Sequence, residues 1–595
     1  MSTYSQPIYE VPTAAKMSFG GIIGDRILAN ESNWLMIAPE SNPAMLQVFR
    51  DRDRQHSCDL LPWHGEFPGK YLISAVQSLR ITQNPALKAK LERFVHDLIS
   101  CQDTDGYFGP FAKDKRLFGT DLWDLWGHYH CMLGLYLWYR DTGDKRALEA
   151  CTRTADFLCS IFLDGGRRTV EAGWHEMNQA IIHIFLLLHT ETKNDRYLEM
   201  AREIEKDWQT PPCGDYLRCG LENKAFYESP KPRWESLPDI QALAELYYIA
   251  GDENYKKAFE NLWWSISKLD RHNSGGFSSG EQAVGNPYDL RAIETCCTIA
   301  WMALCVDMLR LTGDCRAADE LELATFNAVI GAQNATGRWW TYNTPMDGER
   351  KASAHEIVFQ ARAGSSELNC CSVNGPRGLG MLSEWAVMTA EDGLVVNYYG
   401  PCEFEVKTHC GSLVKLSQST NYPLDGNIVL HVDPDTEEHF TLKLRVPSWS
   451  KYAQIWLNEQ EVEGVRNGEY LSIDRVWKSG DMIRLSLDMS LRTWVGAQDC
   501  EGKVSIYRGP ILLAYDPRFD CYDIPDLPTI DLRKGVKQIE PPVFTPKPIL
   551  LLSFTTMDGN QINLCDFCSA GASGNSYVSW VKASGVQGDC TPFPG

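Results

Sequence analysis

Tyr139-Arg-Asp-Thr-Gly-Asp144 closes one helical run and opens the next, and its echoes decide the fold of the first two thirds of the chain. Clear copies recur at Tyr248-Ile-Ala-Gly-Asp252 and Leu311-Thr-Gly-Asp314, with degenerate ones at Ile81-Thr-Gln-Asn-Pro85 and Glu191-Thr-Lys-Asn-Asp195. Their spacing of roughly 50 to 60 residues matches one helical hairpin plus a connecting loop. An open helical solenoid shares that period. A closed toroid of six hairpins, the last completed by the helix after Cys371, is the reading adopted. After Asp392 the pattern changes to strict alternation, as in Phe440-Thr-Leu-Lys-Leu-Arg-Val446 and Met482-Ile-Arg-Leu-Ser-Leu-Asp488, which marks strands. The expected architecture is therefore an (α/α)6 barrel over residues 1–392, a β-sandwich over 393–503, and a segment over 504–595 that forms a second β-layer or completes the first.

A chain of 595 residues with 44% apolar content can fill two or three cores. Its net charge of -21 repels phosphate backbones and anionic lipid, and no basic cluster interrupts it. Nucleic-acid and membrane partners are not expected. The polar opening Met1-Ser-Thr-Tyr-Ser-Gln lacks a basic-then-apolar export pattern, and the apolar run Ile181 to Leu188 is too short to span a bilayer. The reading is cytoplasmic. Twenty cysteines scattered through a large chain of this kind are expected to be reduced, many of them small core residues.

The loops between the hairpins are long and mix aromatic with polar residues: Trp63-His-Gly-Glu66, Asp105-Gly-Tyr-Phe-Gly109, Trp126-Gly-His-Tyr-His130 and Gly173-Trp-His-Glu-Met-Asn178. Loops on a rigid scaffold are where binding residues gather. Tryptophan beside carboxylate suits a sugar, the ring stacking on its apolar face and the acid taking its hydroxyls.

Two short constellations carry metal-binding chemistry. Glu294-Thr-Cys-Cys297 opens a helix running through Met308, and Asn369-Cys-Cys-Ser-Val-Asn-Gly-Pro-Arg377 reads as a turn rich in glycine and proline. Residues two apart on a helix diverge, so Glu294 and Cys296 meet at one atom only at an irregular helix start. Three thiolates and one carboxylate make a four-coordinate set that zinc accepts. Cys297 falls on an apolar stripe with Trp301, Leu304 and Met308 and reads as core. Cys565-Asp-Phe-Cys568 has no second pair and reads as packing.

Glu-x-Cys followed by Cys-Cys-x-x-Asn-x-x-Arg resembles the zinc-thiolate β-L-arabinofuranosidases, glycoside hydrolase family 127 and its relatives. The resemblance covers both the helical and the β-part. It implies Zn2+ held by Glu294, Cys296, Cys370 and Cys371, with Cys370 as nucleophile and Glu281, in Ser278-Ser-Gly-Glu281, as general acid/base. His130 matches a substrate-contacting histidine and Tyr342 a tyrosine near the nucleophile. His175 lies close to another expected histidine. Trp63, Glu66, Asn374 and Arg377 complete the candidate substrate-binding set.

Zinc removes the proton of a coordinated thiol, so the attacking sulfur is already an anion. Retention then takes two displacements, with Glu281 giving a proton to the leaving oxygen and taking one from water. The implied reaction is release of a terminal, β-L-arabinofuranose-like sugar from a small glycoside or oligosaccharide. The resemblance also allows a homodimer through the β-region. Two features depart from the family: Glu281 and Glu294 are 13 residues apart, a few fewer than expected, and Pro232-Arg-Trp-Glu-Ser-Leu237 contains no histidine. The subsites that hold the sugar are therefore expected to differ. A non-hydrolytic sugar-transforming enzyme, epimerase-like or lyase-like, could reuse the same toroid. A carbohydrate-binding protein stapled by structural zinc is the third reading, and it gives an uncoordinated Glu281 no role.

Overall fold

The computed structural model describes residues 5–54, 60–119, 121–278, 280–350, 368–543 and 546–586. Its helices include α1 (Gly21–Asn30), α2 (Phe67–Thr82), α3 (Pro85–Ser100), α4 (Asp124–Thr142), α5 (Lys145–Cys159), α6 (Ile182–Thr192) and α7 (Asp195–Asp207). They continue with α8 (Leu237–Ala250), α9 (Glu253–Leu269), α10 (Thr295–Thr312), α11 (Cys315–Leu323), α12 (Cys370–Asn374) and α13 (Pro376–Gly380).

The five turns are one device built five times. The first helix ends on a residue in the left-handed region: Gln83, Gly143, Lys193, Gly251 or Gly313. The next residue, Asn84, Asp144, Asn194, Asp252 or Asp314, then accepts a hydrogen bond from the backbone two positions on, at 2.9 to 3.2 Å. Each turn thus stops one helix and caps another in three residues.

The ring closes. Helix α2 packs on α4, α4 on α6, α6 on α8, α8 on α10, α10 on α12 and α13, and these last two back on α2. Those are the inner helices, and α10 is buried over 89% of its length. Its apolar surface all round, which by length and composition alone would also suit a membrane span, is what a position between two neighbours and an outer layer demands. The sixth inner place is filled by the helices after Asn369, as expected. Their neighbour α1 comes from the other end of the helical region, packing against α13.

The β-part forms several sheets. One sheet runs, in spatial order, through Lys16–Phe19, Cys402–Lys407, Leu413–Thr420, Asn427–Pro434, Asp481–Leu487, Ala453–Leu457 and Gln460–Glu461. A second consists of Glu469–Trp477, Glu438–Val446, Gly393–Val396 and Val387–Ala390. Alternating burial along these strands produces the two-layer core, as in Asn427–Pro434 and Asp481–Leu487. Lys16–Phe19, inside the stretch read as helical, pairs antiparallel with Cys402–Lys407. The chain therefore passes through the sandwich before it enters the toroid.

Arg445 fastens the two parts. Its guanidinium is wholly buried and donates to the Asn397 carbonyl at 2.7 Å, to Asp319 at 2.5 Å and to Glu322 at 2.5 Å. Both acids lie on α11. A further sheet, from Leu491–Val495 through Val504–Arg508, Ile511–Tyr515, Gln561–Asp566 and Leu551–Thr555 to Lys537–Gln538, lies against the toroid. There Asn273 bonds Ser505 and Ser579 at 2.8 Å each, and Asn327 bonds the Pro510 carbonyl at 2.9 Å.

Candidate active site

The inner helices all begin at the same end of the toroid, and the candidate residues gather there. The capped turns occupy the other end. Glu294 ends a two-residue strand paired with Asn343–Thr344, and its extended backbone leads directly into α10. It therefore stands outside the helix whose second residue is Cys296, and the two side chains can converge.

The Asn369 segment, read as a turn, is helical from Cys370 onward. Asn369 caps it, its side chain accepting from the Ser372 amide at 2.9 Å while the Asn369 amide donates to the Ser372 hydroxyl at 3.0 Å. Cys370 and Cys371 thus occupy the first turn, where the backbone is pinned and adjacent side chains lie close. Trp34 and Ser74 hold this helix from outside by bonds of 2.7 Å to the Ser372 and Val373 carbonyls.

The result is a compact donor cluster. Glu294 Oε1 lies 3.4 Å from both the Cys370 and Cys371 sulfurs, which are 3.8 Å apart, and Cys371 Sγ is 3.6 Å from Cys296 Sγ. One donor atom from each of the four residues falls within 4.8 Å of every other. Burial raises the Cys370 and Cys371 thiols, and the neighbouring Cys296 sulfur raises them further. Burial also works to raise Cys296, but hydrogen bonds from Cys370 and Cys371 and the charge of Lys70 bring it well below the usual thiol range. Glu294 is raised by burial and by the charges of Glu281 and Cys296. Without a cation the cluster retains protons; a divalent metal ion would replace them. Three soft sulfurs and one carboxylate at these separations can hold such an ion.

Cys297 is fully buried in the apolar core and points to the far side of Glu294, 3.8 Å from Oε2. Cys568 bonds Asp566 at 2.9 Å within the C-terminal sheet, consistent with packing. Every described cysteine is a free thiol.

Glu281 enters from a loop, held at φ 73°. Its two carboxylate oxygens are taken by the Tyr342 hydroxyl at 3.0 Å and by Arg233 Nη2 at 2.8 Å. Tyr342 is itself beside the cluster; burial raises its phenol and the charge of Cys370 adds to that.

The remaining candidates divide. Glu66 is buried and forms an ion pair with Lys70 at 2.8 Å through Oε2, the same oxygen to which Trp126 Nε1 donates. Lys70 lies over the rings of Trp126 and Trp234 at 5.4 and 5.0 Å. His130 is buried edge-on to Trp126 at 4.4 Å, and both its ring nitrogens lack a hydrogen-bond partner among the described residues. Burial, with Lys70 and Arg377, keeps it neutral, its pKa well below the ordinary histidine range. A neutral imidazole with two free nitrogens can give one hydrogen bond and accept another. Asn374 bonds Cys296 from within the cluster, and half-buried Arg377 acts on His130 and His183.

His175 is tied to its own loop through the Val170 carbonyl at 3.1 Å. The neighbouring Trp174, exposed and at φ 37°, faces Trp123 at 5.9 Å, and Trp123 faces Trp63 at 5.1 Å. Three residues near the site escaped the sequence reading: Lys70, Arg233 and Glu235. For Lys70 a signal existed, since Glu66 and Lys70 are four apart at a helix start, but that spacing is also common on solvated faces.

The chain is similar to known proteins over most of its length. It matches the family description β-L-arabinofuranosidase, GH127 catalytic domain, over residues 26–384, and the GH127 middle domain over residues 393–489. A non-reducing end β-L-arabinofuranosidase of Bifidobacterium longum subsp. longum is 24% identical over 495 residues, which is 74% of each chain. The crystal structure of a GH127 β-L-arabinofuranosidase from Geobacillus stearothermophilus T6 superposes with a TM-score of 0.79 at 20% identity, covering 96% of this chain and 100% of that one. A second GH127 β-arabinofuranosidase structure gives 0.80 at 20% identity, covering 97% and 98%. These likenesses show the helical toroid followed by β-sheets.

Proposed function

Because this chain belongs to glycoside hydrolase family 127 and is a glycosidase, we propose that it is a retaining enzyme releasing a terminal β-L-arabinofuranose-like sugar, with Cys370 as nucleophile and Glu281 as acid/base. The observation that carries this reading is the placement of Cys370. Of the four cluster residues it is the most accessible, at 7% against 0 to 2% for Glu294, Cys296 and Cys371, and it adjoins Tyr342, which holds Glu281.

Glu294, Cys296, Cys370 and Cys371 would hold Zn2+. When bound, the ion would keep the Cys370 sulfur deprotonated at neutral pH. That sulfur attacks the anomeric carbon as the bond to the leaving oxygen breaks, and Glu281 gives its proton to that oxygen. Glu281 then takes a proton from water as the water oxygen bonds the same carbon and the carbon–sulfur bond breaks. His130 supplies a donor and an acceptor for sugar hydroxyls, and Glu66, Asn374 and Arg377 line the same end of the toroid. Trp63 and His175 stand further out, where the leaving group would lie. A cluster of three thiols needs a reducing compartment, which supports a cytoplasmic location.

The test is intact-mass measurement of Glu281→Gln after mixing with p-nitrophenyl β-L-arabinofuranoside. A pentosyl adduct mapping to Cys370 is expected. Continued turnover by Cys370→Ala would sink the assignment.

A further inference from the structure

Tryptophans stand at the entrances to successive inner helices. Trp63 lies one turn before α2, Trp123 immediately before α4, and Trp174 at the head of His175–Asn178, the first of the turns leading into α6. These three form a row. The Trp63 and Trp123 rings are 5.1 Å apart and the Trp123 and Trp174 rings 5.9 Å, with their planes tilted by 41° and 53°. Rings tilted in this way are not stacked face on face. Trp63 and Trp123 are half-buried and Trp174 is 40% exposed.

The row is fixed from behind. The Trp123 amide donates to the Pro62 carbonyl at 3.1 Å, which holds the first pair together. Asn178, fully buried, holds the second: its side chain donates to the Leu122 and Gly173 carbonyls at 3.1 and 2.9 Å, the residues that immediately precede Trp123 and Trp174. The same side chain accepts from the Leu125 amide at 3.1 Å. Trp174 itself is at φ 37°, ψ 60°, which a bulky residue adopts only where its surroundings impose it. A large ring is thus held on strained backbone and still left open to solvent. Packing does not account for that, because an exposed ring gains little from burial.

The order of the inner helices places the row relative to the chemistry. In the sequence α2, α4, α6, α8, α10, α12 around the ring, α6 is three places from α12, which carries Cys370. The row therefore runs along the rim from α2, next to α12, to α6, directly across from it. A retaining displacement begins with attack on the face of the anomeric carbon opposite the departing oxygen. What departs lies on the side away from Cys370, towards Trp123 and Trp174. The Trp174 end is also joined to the segment holding the proposed proton donor, since Glu176 pairs with Lys231 at 3.1 Å and Arg233 holds Glu281 at 2.8 Å. Resting on the reading of Cys370 as nucleophile, we propose that Trp63, Trp123 and Trp174 form a subsite for the leaving group, and that this group is a neutral sugar residue. The C–H face of a sugar ring lies flat on an indole while its hydroxyls stay in water, and a row of tilted rings follows a chain of such residues. The Glu176–Lys231 pair is neutral, and a chain charge of -21 disfavours an acidic leaving group. The substrate is then a disaccharide or longer glycan cut at its terminal residue.

The experiment measures kcat/KM for methyl β-L-arabinofuranoside, p-nitrophenyl β-L-arabinofuranoside, and β-L-arabinofuranosyl disaccharides whose second residue is arabinose, galactose or glucuronic acid. Wild type should favour the neutral disaccharides over the methyl glycoside by about tenfold, the worth of covering roughly 50 Å2 of apolar surface. Trp174→Gly removes the ring and suits the left-handed backbone, so the protein should fold while most of that preference is lost. Trp174→Phe should recover part of it. A preference unchanged in Trp174→Gly, with Cys370→Ala inactive on every substrate, would overturn the inference alone. A loss confined to the p-nitrophenyl glycoside would assign the row to an aromatic leaving group instead, and a preference for the glucuronic acid disaccharide would refute its neutrality. No turnover of any of these glycosides by wild type, or continued turnover by Cys370→Ala, would remove the reading on which the subsite rests. Binding gives a second readout: in the Cys370→Ala background, calorimetry should show the galactose disaccharide bound about tenfold more weakly once Trp174→Gly is added, and equal affinity refutes the subsite.

Discussion

Replacing Arg445 by methionine tests whether the sandwich is fastened to the toroid by one buried charge. The guanidinium is inaccessible and neutralises Asp319 and Glu322, each at 2.5 Å. Without it the acids keep some support: Glu322 still accepts from Tyr422 at 2.5 Å and Trp449 at 3.0 Å, and Asp319 from the Ser448 amide at 2.9 Å. Two buried carboxylates without a cation must repel or take up protons. Removing one member of such a network costs about 3 to 5 kcal/mol. Unfolding entropy of about 2.1 cal/mol/K per residue makes the midpoint an insensitive readout: for 595 residues, 4 kcal/mol lowers Tm by only about 3 °C. Denaturant unfolding, followed by the fluorescence of Trp449 and its neighbours, is the appropriate assay. Adding Asp319→Asn and Glu322→Gln to Arg445→Met should recover more than half of the loss, because neutral groups need no counter-ion. A single variant within about 1 kcal/mol of wild type, or a triple variant no more stable than the single one, would refute the reasoning.

Three further outcomes are expected. Cys296→Ser and Cys371→Ser should each purify with far less zinc than wild type by elemental analysis, since each removes a sulfur from the cluster; unchanged zinc in both would exclude these ligands. His272 is fully buried, and burial holds its pKa down to about 4, so the folded protein keeps it neutral while the unfolded chain protonates it near 6.5. Stability present above pH 6.5 should therefore fall as pH drops from 6.5 towards 4, by about 3 kcal/mol from this group, and His272→Gln should flatten the acid side of a stability–pH curve. Gly69→Ala would place a methyl group 2.2 Å from the His130 backbone carbon, where α2 and α4 meet. Backbone cannot yield as a side chain does, so a loss at or above about 3 kcal/mol is expected in chemical denaturation.

What could be read from the sequence was what is local. The five turns were legible because stopping a helix and capping the next is the work of three adjacent residues, whether Thr-Gly-Asp or Thr-Lys-Asn fills them. The Glu294–Cys296–Cys370–Cys371 donor cluster was legible as two motifs, although the helical turn after Asn369 depended on a reciprocal bond with Ser372 that the glycine and proline nearby obscured. Lys70 and Glu235 were not legible. Their significance lies in burial: Lys70 pairs with Glu66 four residues before it and Glu235 with Arg233 two before it, and such spacings are equally common on solvated faces. The sixth pair was half visible, since its inner helices follow the cysteines but α1 comes from the far end of the chain.

Lys16–Phe19 has a consequence for biosynthesis. Its register partner is 389 residues away, Lys16 opposite Glu405. At about 5 to 20 residues per second, a ribosome needs roughly 20 to 80 seconds to supply that partner. During that time the toroid can assemble hairpin by hairpin while the first strand waits with an open edge. The fold is sealed only after Cys370 and Cys371 have emerged, so the end of the chain that is made first is among the last to be secured.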